Sequence, residues 1–167
     1  FKSLLAKVQY AMAQQDIRYY LNGLLMAPAR DNLKVVATDG HRLAYADCAI
    51  AGPSSPVEII LPRKAVIELS KLLLDNEDKV EIEILPNLVR FSLPGIELVS
   101  KVVDGKFPDY NRVIPSGYNK IFQLNRETLL RALQRASILS NEKFRGVRWI
   151  VSNEKLRTIC SNSENEE

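Results

Sequence analysis

The chain has 167 residues, 46% hydrophobic and 26% charged, with a formal net charge of +3, a make-up that fits a folded globular chain and excludes a disordered, collagenous or disulfide-stapled one. The length suits one domain, or one domain with part of a second. No apolar run approaches the roughly 20 residues of a membrane span, and one histidine with two distant cysteines, Cys48 and Cys160, offers neither a disulfide framework nor a metal knuckle, so we expect a cytoplasmic protein without metal or cofactor.

Phe1, Leu4, Leu5, Val8, Ala11 and Met12 recur at helical spacing and predict a helix over residues 1–13, with Lys2, Ser3, Lys7 and Gln9 on its polar face. Residues 19–26 and 33–38 read as strands joined across Pro28-Ala29-Arg30-Asp31-Asn32. A third strand is expected over residues 42–49 and, past the loop at residues 52–56, a fourth over 57–61. Pro62 suits the first turn of a helix over residues 63–74, where its missing N–H is no loss. Val66, Leu69 and Leu73 of that helix turn inward, opposite Lys64, Glu68 and Lys71. From Val80 the period changes to two, with Val80, Ile82 and Ile84 alternating against Glu81 and Glu83. That pattern, with turns at Pro86-Asn87 and Pro94-Gly95, predicts a meander over residues 79–85, 88–93 and 96–103. Residues 121–124 read as one more strand, leading into Asn125, a fitting N-cap for a helix over residues 126–139.

The chain resembles itself. Leu4, Leu5, Val8 and Ala11 match Leu129, Leu130, Leu133 and Ala136, and at the same offset Tyr19 meets Phe144 and Leu24-Leu25-Met26 meets Trp149-Ile150-Val151. Past the turn, Leu33, Val36, Ala37 and Thr38 pair with Leu156, Ile159, Cys160 and Ser161. Self-similarity at a fixed period signals a repeat architecture, here α+β units of about 120 residues. We expect residues 1–116 to form one repeat lacking its first strand and residues 117–167 the opening part of the next.

Five segments carry a more specific resemblance: Gln15-Asp16-Ile17-Arg18-Tyr19-Tyr20-Leu21-Asn22-Gly23, Ala37-Thr38-Asp39-Gly40-His41-Arg42-Leu43-Ala44, Pro62-Arg63-Lys64, residues 103–110, and residues 138–147. In that order they resemble the bacterial sliding clamp family, the beta subunits of DNA polymerase III, over essentially the whole chain. The resemblance implies a clamp fold in which helices pack on one side of antiparallel sheets. It implies a non-catalytic processivity factor whose intact form is a head-to-tail homodimeric ring around duplex DNA, with no membrane partner. Polymerase subunits, clamp loader and repair proteins would dock through short linear motifs. A stretch of this length is expected to be incomplete and unable to close the ring.

By the same resemblance, Leu21, Thr38, Gly40, His41, Arg42, Leu43, Pro108, Arg112 and Val113 would line the peptide cleft. In the family that cleft is completed from the last domain, so weaker peptide binding than by an intact clamp is expected. Gln15, Arg18, Tyr19, Tyr20, Arg63, Lys64, Arg131 and Arg135 would face DNA, with Lys2, Lys7 and Lys71 as further basic positions, and Ile138 and Leu139 would meet the other protomer. From the residues alone, Leu21, Leu43 and Val113 read as core, Arg112 as solvated, and the other basic residues as solvated helix faces. An enzyme using Asp39 and His41, or a peptide-recognition module that never meets DNA, also remains open. Phosphate-cradling, dinucleotide and His-Glu-x-x-His motifs are absent from the sequence.

Overall fold

The computed structural model describes residues 1–74, 76, 78–138 and 146–160. It divides into two compact units, Phe1–Val113 and Ile114–Glu167.

The first unit begins with helix α1 (Lys2–Ala6) and a 3₁₀ turn at Gln9–Ala11. A single helix over residues 1–13 does not form. The chain tightens at Val8 and turns extended at Met12, with ψ 140°. The apolar periodicity survives this break, and Leu4, Leu5, Val8, Ala11 and Met12 are all buried. Residues 19–21 also depart from expectation. They form a 3₁₀ turn, Tyr19–Leu21, and the strand starts only at Gly23.

Four strands, β1 (Gly23–Pro28), β2 (Asn32–Thr38), β3 (Leu43–Ala49) and β4 (Ile59–Pro62), make an antiparallel sheet in the order β3-β2-β1-β4. At Gly23 the backbone of β4 comes so close that a Cβ would lie 2.4 Å from the Leu61 carbonyl oxygen, so only glycine fits that pairing. Helix α2 (Arg63–Leu72) follows directly from Pro62 and buries Val66 and Leu69. A second antiparallel sheet contains β5 (Glu81–Ile84), β6 (Leu88–Leu93) and β7 (Ile96–Lys101) in that order, with Arg90 paired to Glu83 across β5 and β6.

The period-two pattern sends alternate side chains to opposite faces of the first sheet. Leu24, Met26, Leu33, Val35, Ala37, Ile59 and Leu61 join Leu4, Leu5, Val8, Val66, Leu69, Val89 and Phe91 in the main core. Leu25, Val36 and Ile60 face the other way and pack beneath Phe107, with Tyr20, Leu43, Val103 and Tyr110 around them. The sheet is therefore buried on both sides, and its second face carries the site described below.

The second unit contains helix α3 (Arg126–Ser137) and the hairpin β8 (Arg148–Val151) and β9 (Leu156–Ile159). Asn125 caps α3, its Oδ1 accepting from the Thr128 N–H at 3.0 Å. Residues 121–124 take no strand conformation. No strand pairs with them among the described residues, and Ile121 is exposed. One helix and a two-stranded ribbon enclose little volume. Accordingly, no described residue of this unit is buried, and Leu130, which the repeat matches to the buried Leu5, is half exposed.

Candidate functional site

Between Met12 and Gly23 the chain forms a loop tied by local polar bonds. The Ala13 N–H donates to the Leu21 carbonyl at 3.0 Å, the Asp16 N–H to Asn22 Oδ1 at 2.9 Å, and Asn22 Nδ2 to the Asp16 carbonyl at 2.8 Å. Gln15 makes the turn in the left-handed region, at φ 69°. Arg18 folds back on Asp16 in a two-pronged bond, Nε at 3.0 Å and Nη2 at 2.8 Å. Those bonds, with the Arg18 backbone N–H, draw the Asp16 carboxyl down to about 2.

A second loop, between β2 and β3, is organised by Thr38 and Asp39. Thr38 Oγ1 accepts from the Gly40 N–H at 3.0 Å and donates to the Arg42 carbonyl at 2.7 Å. Asp39 Oδ1 accepts the backbone N–H groups of both His41 and Arg42 at 3.0 Å, and Oδ2 meets Arg42 Nε at 3.1 Å. Burial would raise the Asp39 pKa, but the two backbone donors and the Arg42 charge outweigh it and hold the carboxylate below its ordinary value. Both oxygens of this carboxylate thus serve the turn, Oδ1 through the backbone and Oδ2 through the Arg42 side chain.

The two loops meet at Gly40, which has φ +87°. A Cβ there would stand 3.0 Å from Arg18 Nη2. Arg18 also approaches the Asp39 carbonyl, at 3.5 Å.

Residues 103–113 then cross the second face of the first sheet. The Val103 N–H donates to the Ile60 carbonyl at 2.8 Å, Phe107 is buried, and the Tyr110 ring leans on that of Tyr45 with centroids 6.0 Å apart. Burial raises both tyrosine pKa values, reinforced by the charge of Asp47 on Tyr45 and of Glu58 on Tyr110. Asp109 pairs with Arg112 at 3.0 Å, and the Val113 N–H donates to the Tyr110 carbonyl.

The residues expected to form a cleft thus occupy three neighbouring segments of the first unit. Thr38, Gly40, His41, Arg42 and Leu43 share one turn; Pro108, Arg112 and Val113 are exposed along the crossing segment. Leu21 is buried at 1% exposure, so it supports the surface from beneath. Of the residues expected to face DNA, Gln15, Arg18 and Tyr19 are exposed on the first loop, with Tyr19 edge-on to the half-buried Tyr20 at 5.9 Å. Arg63 is held by its Nη1 bond to the Met12 carbonyl at 3.3 Å, while Lys64 is exposed. In the second unit Arg131 pairs with Glu127 at 3.8 Å, Arg135 is exposed, and Ile138 is 78% exposed at the end of α3. Leu139 lies outside the described residues.

The sequence reading passed over Tyr45 and the structural work of Asp16. Phe107 and Tyr110 were visible inside a motif but not as site residues. Two cavities of about 760 and 790 Å³ open elsewhere on the first unit, against Phe1, Ile50, Val80 and Ile82, and none of the expected cleft residues lines either. No described helix is long and apolar enough to cross a membrane, and the described residues contain no cluster of three metal-ligating side chains.

Comparison with known proteins identifies relatives along the whole chain. Residues 1–109 match the family model described as DNA polymerase III beta subunit, central domain, and residues 111–167 the one described as its C-terminal domain. The beta sliding clamps of Pseudomonas putida and Escherichia coli K12 are each 43% identical over 99% of the chain. The chain spans about half the length of the curated relatives it matches, 46% and 45% for these two. The crystal structure of the Pseudomonas aeruginosa sliding clamp superposes with a TM-score of 0.91 at 43% identity, over 99% of this chain and 46% of that one. The Bartonella birtlesii clamp bound to griselimycin gives 0.86 at 40% identity, over 98% of this chain and 45% of that one.

Proposed function

The chain belongs to the DNA polymerase III beta subunit family, and we propose that it serves as part of a non-catalytic processivity clamp in the bacterial cytoplasm. In this reading the complete protein forms a homodimeric ring around duplex DNA, and residues 1–116 and 117–167 belong to successive clamp domains. Polymerase subunits, the clamp loader and repair proteins dock on the surface formed by Leu21, Thr38, Gly40, His41, Arg42, Leu43, Pro108, Arg112 and Val113.

The observation that carries the docking reading is the double lock on the Thr38–Leu43 turn. Thr38 Oγ1 and Asp39 Oδ1 hold the backbone of the turn and Asp39 Oδ2 holds the Arg42 guanidinium, which leaves His41 and Arg42 exposed on a surface that need not reorganise when a peptide arrives. The related P. aeruginosa and B. birtlesii clamps bind griselimycin, which makes that compound the natural probe. Calorimetric titration of the chain with griselimycin should give saturable binding that is weakened by His41→Ala and unaffected by Glu97→Ala on β7. Binding indifferent to His41 would refute the assignment.

The DNA-facing role is assigned to Gln15, Arg18, Tyr19, Tyr20, Arg63, Lys64, Arg131 and Arg135. Sliding demands weak contacts to phosphate that ignore sequence, and the affinity of such contacts falls with salt at a slope of about 0.9 per phosphate neutralised. Duplexes of unrelated sequence should therefore compete equally, and Lys64→Ala should reduce the slope by about one. A sequence preference would contradict the reading. Ile138 and Leu139 are assigned to the contact between protomers. Ile138→Asp should weaken ring dimerisation of the full-length protein in sedimentation, and an unchanged dimer would remove the assignment.

A further inference from the structure

Arg42 is more tightly constrained than an exposed arginine requires. Its Nε meets Asp39 Oδ2 at 3.1 Å, its Nη2 donates to the Tyr10 carbonyl at 2.9 Å, and its guanidinium carbon lies 5.6 Å from the centroid of the Tyr10 ring. The ring is within the range at which a cation is attracted to an aromatic face. Tyr10 can hold this position because its own backbone cannot yield. It sits in the Gln9–Ala11 turn, flanked by Val8, Ala11 and Met12, all essentially inaccessible, while the residue itself stays 58% exposed.

A guanidinium carries five N–H donors in one plane. One is taken by Asp39 and one by the Tyr10 carbonyl, so three remain for acceptors arriving from solvent, and the Arg42 side chain is still 59% exposed. An arginine fixed in advance loses less rotamer freedom on binding than a mobile one. Resting on the docking reading given above, we propose that Tyr10 is a positioning residue of the docking surface: its ring and carbonyl hold Arg42 in the orientation that presents three N–H donors to the carbonyl oxygens of an incoming peptide. Tyr10 lies 32 residues from Arg42 in the chain and acts through it, without bonding the ligand.

The test compares wild type, Tyr10→Ala, Tyr10→Phe, Arg42→Ala and the Tyr10→Ala/Arg42→Ala double variant. The probe is a fluorescein-labelled short peptide bearing one glutamine and two leucines, read by anisotropy. Loss of a cation–ring contact corresponds to a two- to five-fold weakening, by order of magnitude. Tyr10→Ala should show about that loss, Tyr10→Phe should bind as wild type because the hydroxyl has no part, and Tyr10→Ala should add nothing once Arg42 is gone. An additive double variant would mean that the ring touches peptide itself, and the proposal would fall. A second reading uses no ligand: the Arg42 Nε–Hε resonance should be sharp and slowly exchanging in wild type and Tyr10→Phe and should broaden in Tyr10→Ala. If wild type binds no peptide, the docking reading fails. If wild type binds and Tyr10→Ala changes neither affinity nor resonance, only the positioning role fails.

Discussion

Gly40→Ala perturbs the point where the two loops touch, and its consequences separate into two measurable parts. The residue sits at φ +87°, outside the regions open to side-chain-bearing residues. Placing an L-residue in the left-handed region costs about 1–2 kcal/mol. The new methyl would also stand 3.0 Å from Arg18 Nη2 and 3.2 Å from its Nη1. Those atoms are the free end of a long side chain, so the clash resolves by moving Arg18 off the loop and away from Asp16, not by distorting backbone. The first part is a loss of stability: for a unit the size of residues 1–113, about 1–2 kcal/mol lowers the midpoint by about 3–10 °C in thermal unfolding followed by circular dichroism. The second is a change of surface, read as weaker capture of the peptide probe below the transition. Gly95→Ala is the matched control, because Gly95 has φ +75° with nothing within 4 Å of a Cβ. It should reproduce the stability loss and leave peptide capture intact. An unchanged midpoint for Gly40→Ala, or equal peptide losses in both variants, would refute the reasoning.

Phe91 is fully buried and stacks on Phe1 with centroids 6.3 Å apart, so Phe91→Ala should cost about 3–5 kcal/mol, seen as a lower urea midpoint or, at the upper end, loss of soluble protein. Asn125→Ala removes the cap of α3 and should cost about 1 kcal/mol of helix stability, visible as faster amide exchange at Thr128 with no change in the first unit. Asp16 titrates at about 2 against an ordinary value of 3.8. A depressed folded pKa stabilises above the unfolded value and loses that contribution as pH falls. The melting temperature should therefore drop between about pH 4 and pH 2 partly on account of this residue, and Asp16→Asn should flatten that limb. A carboxyl resonance for Asp16 titrating near its ordinary value would contradict the two-pronged Arg18 bond.

The sheets and α2 were legible because their signals are local and redundant. Strict alternation from Val80 to Ile84 and the inward row Val66, Leu69, Leu73 each state one face unambiguously, and the repeat placed the β8–β9 hairpin by analogy with β1–β2. The failures have separate causes. Residues 1–13 carry helical periodicity throughout, yet an α-helix followed by a 3₁₀ turn keeps the same side chains inward, so period alone could not show the break. Tyr19 and Tyr20 have strand propensity, but Asp16 and Asn22 bond one another across six residues and close a loop before Gly23. Residues 121–124 have strand composition, and composition supplies no partner strand. In the site, the Thr38–Leu43 turn was found through a contiguous motif. Tyr10 was invisible because its role is defined only by Arg42, which folding brings to it from another element.

In the proposed reading the docking surface runs from the locked Thr38–Leu43 turn to the segment over residues 103–113. The most direct measurement is amide shift mapping of the isotope-labelled chain titrated with griselimycin. Shifts should concentrate at Thr38, Gly40, His41, Arg42, Leu43, Arg112 and Val113, with Asn87 and Gly95, in the turns of the second sheet, unmoved. Shifts gathered instead at Ile50, Val80 and Ile82, on the walls of the two cavities, would contradict it.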